Sequence, residues 1–436
     1  MKFLTVSKAR PGRSRPSACA LAAALCLASP AFSQTTLTWP EVLQRFENDN
    51  PTLKAAKAAV DESKANEVTA YLRPNPDMSA GIDQINPFST QPPPYGSGSY
   101  SYRPLEYAFP SLAFTYLHER QHKRELRRDS ARQTTAITES QYADQERGLV
   151  FALRSAFVQV LQAKAILDNA RQNLAYWDQE LKVNRDRYHA GDLALLDLNR
   201  LELQRVQFET DFQTALVNLR TSKIQLLTLL NQRIPVEQFD VRGDYDFHQD
   251  LKPLDDFRTT ALANRPDLKA AVQGVELANI NHNLANANGS TDPTFGLDFG
   301  RAPPIPAYMG VNLSIPLRIF DKNQGEKERT RIDIGRSEQL QSAARAQVFS
   351  DVDSAYWTLV QSVELLKPYK SKYLPLSEDI RDRMAFSYKN GGASLLDFLD
   401  AEKSYRDTKL AYLNLIGSYL TAAAQMNMAA GTEVIP

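Results

Sequence analysis

From Pro110 to Gly191 the chain contains no proline and one glycine, Gly148. Within this stretch side chains recur at alternating spacings of three and four: Leu153, Ala156, Val160, Ala163, Leu167, Ala170, Leu174, Trp177, Leu181, Asn184, Tyr188. Asn184 alone breaks the apolar series. A sustained 3.5-residue repeat imposes left-handed coiled-coil packing. At 1.5 Å per residue, about 70 such residues reach roughly 100 Å, too long for the interior of a compact globule. The return segment, Leu193 to Arg233, also lacks glycine and proline, so Gly191 marks a tight helix–helix turn.

The chain then repeats itself. Asn50-Pro51-Thr52-Leu53-Lys54-Ala55-Ala56 recurs 215 positions later as Arg265-Pro266-Asp267-Leu268-Lys269-Ala270-Ala271, and Gly81-Ile82-Asp83 returns at the same interval as Gly296-Leu297-Asp298. Tyr188, Gly191 and Leu195-Leu196-Asp197 return 200 positions later as Tyr388, Gly391 and Leu395-Leu396-Asp397. The shorter interval places about fifteen extra residues in the first copy, in the Pro-, Gly-, Ser- and Tyr-rich stretch after Asp83, which has the composition of an exposed loop. In the second copy Gly391 marks the turn, and Pro368 and Pro375 are expected to kink or break the preceding helix.

At the other end of each unit the period changes to two. Phe295, Leu297 and Phe299 alternate with small or polar residues, as do Met309, Val311, Leu313 and Ile315; Met78, Ala80, Ile82 and Leu112, Phe114, Tyr116 are the first-copy equivalents. The strands are expected at about 77–83 and 107–116, flanking loop 84–106, and at about 294–300 and 308–316. Tyr95, Tyr100, Tyr102, Tyr107 and Phe109 gather near the first pair, as in an interfacial aromatic girdle. Four strands cannot close a membrane barrel, the smallest of which have about eight, and open edges are not tolerated in lipid. The chain must therefore assemble, most simply as a homotrimer.

The N-terminus reads as a secretory leader, residues 1–33: Lys2, Lys8, Arg10, Arg13 and Arg15, an apolar run from Cys19 to Ala28, and Ala31-Phe32-Ser33 before Gln34. Both cysteines, Cys19 and Cys26, fall inside it, so no thiol, disulfide or cysteine metal site is expected afterwards. Leu25 stands where a lipidation site would carry a small residue. No later stretch reads as a membrane-spanning helix. The 51 basic and 51 acidic residues cancel, and no basic stripe interleaved with aromatics points to nucleic acid.

With these features the sequence resembles the TolC-like outer membrane factors, the exit ducts of tripartite efflux pumps. The likeness spans a first repeat at 34–250 and a second at 251–436. The run Ile315-Pro316-Leu317-Arg318-Ile319-Phe320-Asp321-Lys322-Asn323-Gln324-Gly325 is similar to the heavy-metal branch typified by CzcC and CusC. The resemblance implies a mainly α fold with a small β part: long coiled-coil hairpins forming a periplasmic tunnel, and strands forming a trimeric twelve-stranded barrel in the outer membrane. It implies a homotrimer working with a periplasmic adaptor and an inner-membrane pump of RND type, and passive conduction without cofactor, metal site or catalytic residue.

It also implies a closed iris at the hairpin ends. Aspartates after the second turn fall on Asp397 and Asp400, the tyrosine before it on Tyr388, and Asp197 is the first-copy equivalent of Asp397. Ala393 stands where a well-known member carries a restraining arginine. Carboxylates crowded at one axis raise each other's pKa and attract cations. The competing role for Asp397 is to cap the helix that follows the turn, and the two can coexist.

His118-Glu119-Arg120-Gln121-His122 is a literal HExxH, which on a helix would place both histidines on one face. Its charged surroundings and the lack of a third ligand favour a basic, solvated helix start near the membrane surface over a zinc site. A periplasmic coiled-coil adaptor or scaffold that never enters a membrane is the alternative reading, separated from the duct by whether extraction needs detergent.

Overall fold

A computed structural model describes residues 35–85, 90–91, 101–102, 105, 108–248, 250–302 and 305–435. The expected leader, with both cysteines, lies outside them, as do Tyr95, Tyr100 and Tyr107 of the expected aromatic girdle.

The first unit runs β1 (Thr35–Leu37), α1 (Trp39–Asp49), α2 (Pro51–Ala70), β2 (Asp77–Asp83), the two-residue strands β3 (Thr90–Gln91) and β4 (Ser101–Tyr102), β5 (Phe109–Leu117), α3 (Lys123–Ala190) and α4 (Leu195–Leu229). After β6 (Phe239–Val241), which pairs in parallel with β1, the second unit runs α5 (Leu254–Asn264), α6 (Pro266–Asn288), β7 (Thr294–Ala302), β8 (Ile305–Ser314), α7 (Gln324–Pro368), α8 (Leu374–Lys389) and α9 (Leu395–Ala430). At 68 residues, α3 extends about 100 Å.

The duplication reaches individual contacts. Asn50 starts α2 with Pro51 behind it, accepting from the Leu53 amide and donating through Nδ2 to the Leu229 carbonyl at the end of α4. Its counterpart Arg265, 4% exposed, reaches the Ala429 carbonyl at the end of α9 and pairs with Asp267 (2.6 Å) and Asp351 (2.8 Å). Each unit thus ties its beginning to the end of its last helix. The second unit differs at Pro368, whose missing amide opens the helix into a π turn, Tyr369–Tyr373, before α8 resumes with Pro375 in its first turn.

Helix α3 contains an 18-residue window apolar enough to cross a membrane by length and composition. Those side chains have a different use. Leu153, Phe157, Val160 and Leu161 are buried against Val42 and Phe46 of α1, Leu226 of α4 and Phe239 of β6. Leu167 and Ala170 pack on Ala215 further along, and Trp177 and Leu181 on Leu198 and Leu201. The seam read from the 3.5-residue repeat is the buried face of the α3–α4 hairpin.

The sheet is antiparallel in the order β2-β5-β7-β8, leaving β2 and β8 as open edges. Its register aligns like with like. Met78 faces Phe114, which faces Leu297, which faces Val311; Ala80, Leu112, Phe299 and Met309 form a second row, and Tyr116, Phe295 and Leu313 a third. The opposite face carries Ser79, Ala113, Asp298 and Gly310 in one row and Thr115, Gly296 and Asn312 in another. The glycines leave room for their long neighbours: a Cβ on Gly296 would fall 2.2 Å from the end of the Asn312 side chain, and one on Gly310 2.5 Å from the Asp298 carboxylate, so either would make that side chain shift. Among the described residues nothing covers the apolar face: Val311 is 77% exposed, Met309 69% and Met78 66%. A water-soluble sheet of this size would bury that face.

Candidate functional site at the hairpin ends

The two hairpins turn by the same device. Gly191 (φ 87°) and Gly391 (φ 75°) adopt the left-handed conformation that glycine enters without steric cost. In the first turn Asp192 N–H donates to the Arg187 carbonyl; in the second Gly392 N–H donates to Ser387, at 2.9 and 2.8 Å.

Beyond the turns the copies diverge. Ser394 caps α9: its Oγ accepts from the Asp397 amide (3.2 Å), while Asp397 Oδ2 accepts from the Ser394 hydroxyl (2.7 Å) and amide (3.1 Å). These bonds, the side-chain one first, hold the Asp397 carboxyl below the usual aspartate range. In the first copy the cap position is Ala194, which has no hydroxyl, and Asp197 lies 3.6 Å from Arg200 instead. Asp400 stands one turn after Asp397, and both are exposed.

Tyr388 is not at the surface. Only 6% exposed, it donates its hydroxyl to Asn184 Oδ1 of the first hairpin at 3.2 Å. Its ring stacks on Phe398 (5.2 Å), Phe398 on Trp177 (6.0 Å) and Trp177 on Phe208 (4.9 Å), so four rings, two from each hairpin, form one column that crosses between them. Arg187 lies 5.3 Å from the Tyr388 ring centre, and Lys389 pairs with Glu180 at 2.7 Å. Burial raises the Tyr388 phenol; Arg187 opposes this, while Asp197 and Glu180 add to it. The structure therefore joins Tyr388 to Asn184 and Arg187, and its neighbour Lys389 to Glu180, and leaves Asp397 and Asp400 exposed beside that joint.

Arg187, Glu180 and the buried Glu402 escaped the sequence reading. Glu402 is 3% exposed, with Arg381 and Arg406 as its nearest charges of opposite sign. A glutamate at a seam position was the available signal, because a buried carboxylate requires a compensating cation nearby.

The HExxH segment is not helical, contrary to the geometry that a zinc helix or a helix start requires. It forms the strand-to-helix elbow before α3, with Gln121 and His122 both left-handed (φ 57° and 54°). Asn323 (φ 62°) occupies the corresponding place before α7. Among the described residues no group of three or more His, Cys, Asp or Glu side chains is arranged to hold a metal ion.

The arrangement offers charge and a breakable contact between hairpins. Residues 258–432 match the family described as Outer membrane efflux protein. The chain is 21% identical over 404 residues to the cobalt-zinc-cadmium resistance protein CzcC of Cupriavidus metallidurans, covering 92% of each. It is 23% identical to the outer membrane protein TolC of Escherichia coli, covering 68% of this chain and 64% of TolC. Its fold superposes on crystal structures of CusC (TM-score 0.74, 17% identity, 90% of this chain and 91% of that one) and of the outer membrane protein VceC from Vibrio cholerae (0.71, 15%, 90% and 96%). The chain thus has the fold of the TolC-like outer membrane factors, and most of its second half matches the outer membrane efflux protein family.

Proposed function

We propose that this outer-membrane protein is the channel subunit of a tripartite efflux system, passively conducting heavy-metal cations from a periplasmic adaptor and an RND-type pump to the exterior. The mature chain comprises the two repeats, 34–250 and 251–436, after loss of the leader. The observation that carries the reading is the sheet: four strands with two open edges and a continuous uncovered apolar face. β5, β7 and β8, of 9, 9 and 10 residues, have the length of tilted membrane strands, about 9–11 residues. Joining β8 of one copy to β2 of the next satisfies both edges, and three copies give a twelve-stranded barrel, apolar outside and polar within.

In that trimer the hairpin ends form the periplasmic gate. Asp397 and Asp400, with Asp197 behind them, supply its charge; Tyr388 holds the second hairpin against the first; Gly191 and Gly391 make the turns. The metal preference is supported by the full-length likeness to CzcC, a protein named for cobalt, zinc and cadmium resistance. The test is conductance. Detergent-solubilised protein should be trimeric by native mass measurement and should form cation-selective channels in planar bilayers. A monodisperse monomer with its strands intact sinks the shared barrel, and protein extracted without detergent is the periplasmic scaffold instead.

A further inference from the structure

The elbow that spoiled the HExxH reading has its own chemistry. A half-open cavity of about 430 Å³ lies there, lined by Arg73, Tyr116, His118, Arg120, His122 and Arg124 among others. Its carboxylates are already committed: Glu119 to Arg127, and Glu125 to Arg124 (3.2 Å), with His122 at 3.9 Å. Lys123, 4% exposed, is spent on Asp292 at 2.5 Å. Among the described residues Arg73 and Arg120 make no ion pair, and both are exposed, as are His118 and His122. The cavity therefore carries a surplus of positive charge that no acid among the described residues pairs with.

Its level in the molecule says what can. Tyr116, Phe295 and Leu313 form the last apolar row of the sheet, and His118 lies two residues past Tyr116, its amide bonded to the Pro293 carbonyl (2.9 Å). At about 3.3 Å per residue, the cavity begins within the headgroup layer, which adds roughly 5–8 Å to each side of the hydrocarbon. The elbow between β8 and α7 packs beside it: Asn323 Nδ2 donates to the Ala285 carbonyl in the last turn of α6 (2.7 Å), while the Arg120 amide donates to Asp292 in the link from α6 to β7 (2.9 Å). That second elbow exposes Leu317 (78%), Ile319 (65%) and Phe320 (91%). Arg318 stands among them with its Nε buried and without a partner among the described residues. Cations for a phosphate thus lie beside apolar side chains suited to acyl chains.

We propose that these two elbows form a headgroup site for an anionic phospholipid of the periplasmic leaflet, with Arg73 and Arg120 meeting its phosphate and Leu317, Ile319 and Phe320 its acyl chains. The site rests on the channel reading, since only an inserted sheet brings the elbows to the headgroups.

The full-length protein in detergent, titrated with phosphatidylglycerol and with phosphatidylcholine of the same acyl chains and followed by native mass spectrometry, tests it. Phosphatidylglycerol should bind preferentially. R73Q/R120Q should lower its affinity roughly 25-fold, at about five-fold per charge near an anionic headgroup, and R73K/R120K should retain most of it. Equal binding of the two lipids, or an unchanged preference in R73Q/R120Q, overturns the site. Displacement by millimolar inorganic phosphate marks a free-anion pocket and overturns it as well. Conductance of the same preparation separates the two readings: a conducting trimer without lipid preference sinks the headgroup site alone, and a protein that neither conducts nor needs detergent sinks the channel beneath it.

Discussion

Tyr388 and Asn184, 204 residues apart, share a hydrogen bond that joins the ends of the two hairpins. Asn184 is the residue that interrupts the apolar seam of α3, and this bond is what the interruption provides. It is 1% exposed, accepts from Tyr388, and satisfies its own Nδ2 on the Glu180 carbonyl (2.9 Å). A leucine there would pack the seam but strand the phenol.

Tyr388→Phe removes the bond and leaves the ring column in place. A net loss of about 1 kcal/mol per chain is expected at the joint. If the joint holds the gate shut, single-channel recordings should show a several-fold rise in open probability with unchanged trimer mass. Asn184→Leu should behave similarly. Wild-type gating in both variants would make the bond structural only.

Glu402 predicts a pH dependence. Burial pushes its carboxyl up to about 7, against the pull of Arg381 and Arg406 and with the help of Glu180 and Asp382. Between the ordinary glutamate value and about 7 the folded chain holds a proton that the unfolded chain has released. Stability therefore falls as pH rises through that window. Glu402→Gln should flatten the dependence and raise the melting temperature at alkaline pH, by an amount corresponding to at most about 3 kcal/mol per chain. A steeper dependence in the variant would contradict this assignment.

Much of this was legible. The α3 seam follows from spacing alone, since a 3.5-residue repeat can be buried in only one way over such a length. The cap on α9 was legible too, because Ser394-Leu395-Leu396-Asp397 has the spacing of a capping box. Arg187 was not, because what it touches depends on how two hairpins 200 residues apart lie against each other. The HExxH segment misled because its helical reading assumed right-handed backbone at Gln121 and His122. The clue was its counterpart Asn323, a residue type that tolerates the left-handed region.

The elbow geometry makes zinc chemistry at His118 and His122 unfavourable, since they do not share a helix face. Changing both to Ala should leave export and bound zinc unchanged. Stoichiometric zinc, lost on mutation, would show that the elbow rearranges around a metal.

The gate aspartates need an experiment that separates charge from capping, because Asp397 is bonded as a cap while facing outward. Ser394→Ala removes the capping hydroxyl and keeps both carboxylates. It should cost about 1 kcal/mol locally and speed hydrogen exchange of the first-turn amides of α9 about five-fold. Cation block of the channel should remain. Asp397→Asn with Asp400→Asn removes the charge and leaves an oxygen at residue 397 to accept from Ser394. Low-dielectric walls amplify charges at a constriction, so this variant should lose most of its cation block and shift selectivity away from cations. Asp197→Asn, beside Arg200 and without a cap, should have a smaller effect. If the serine variant loses block and the double asparagine variant keeps it, Asp397 shapes the turn, and the charge that attracts cations must lie elsewhere in the duct.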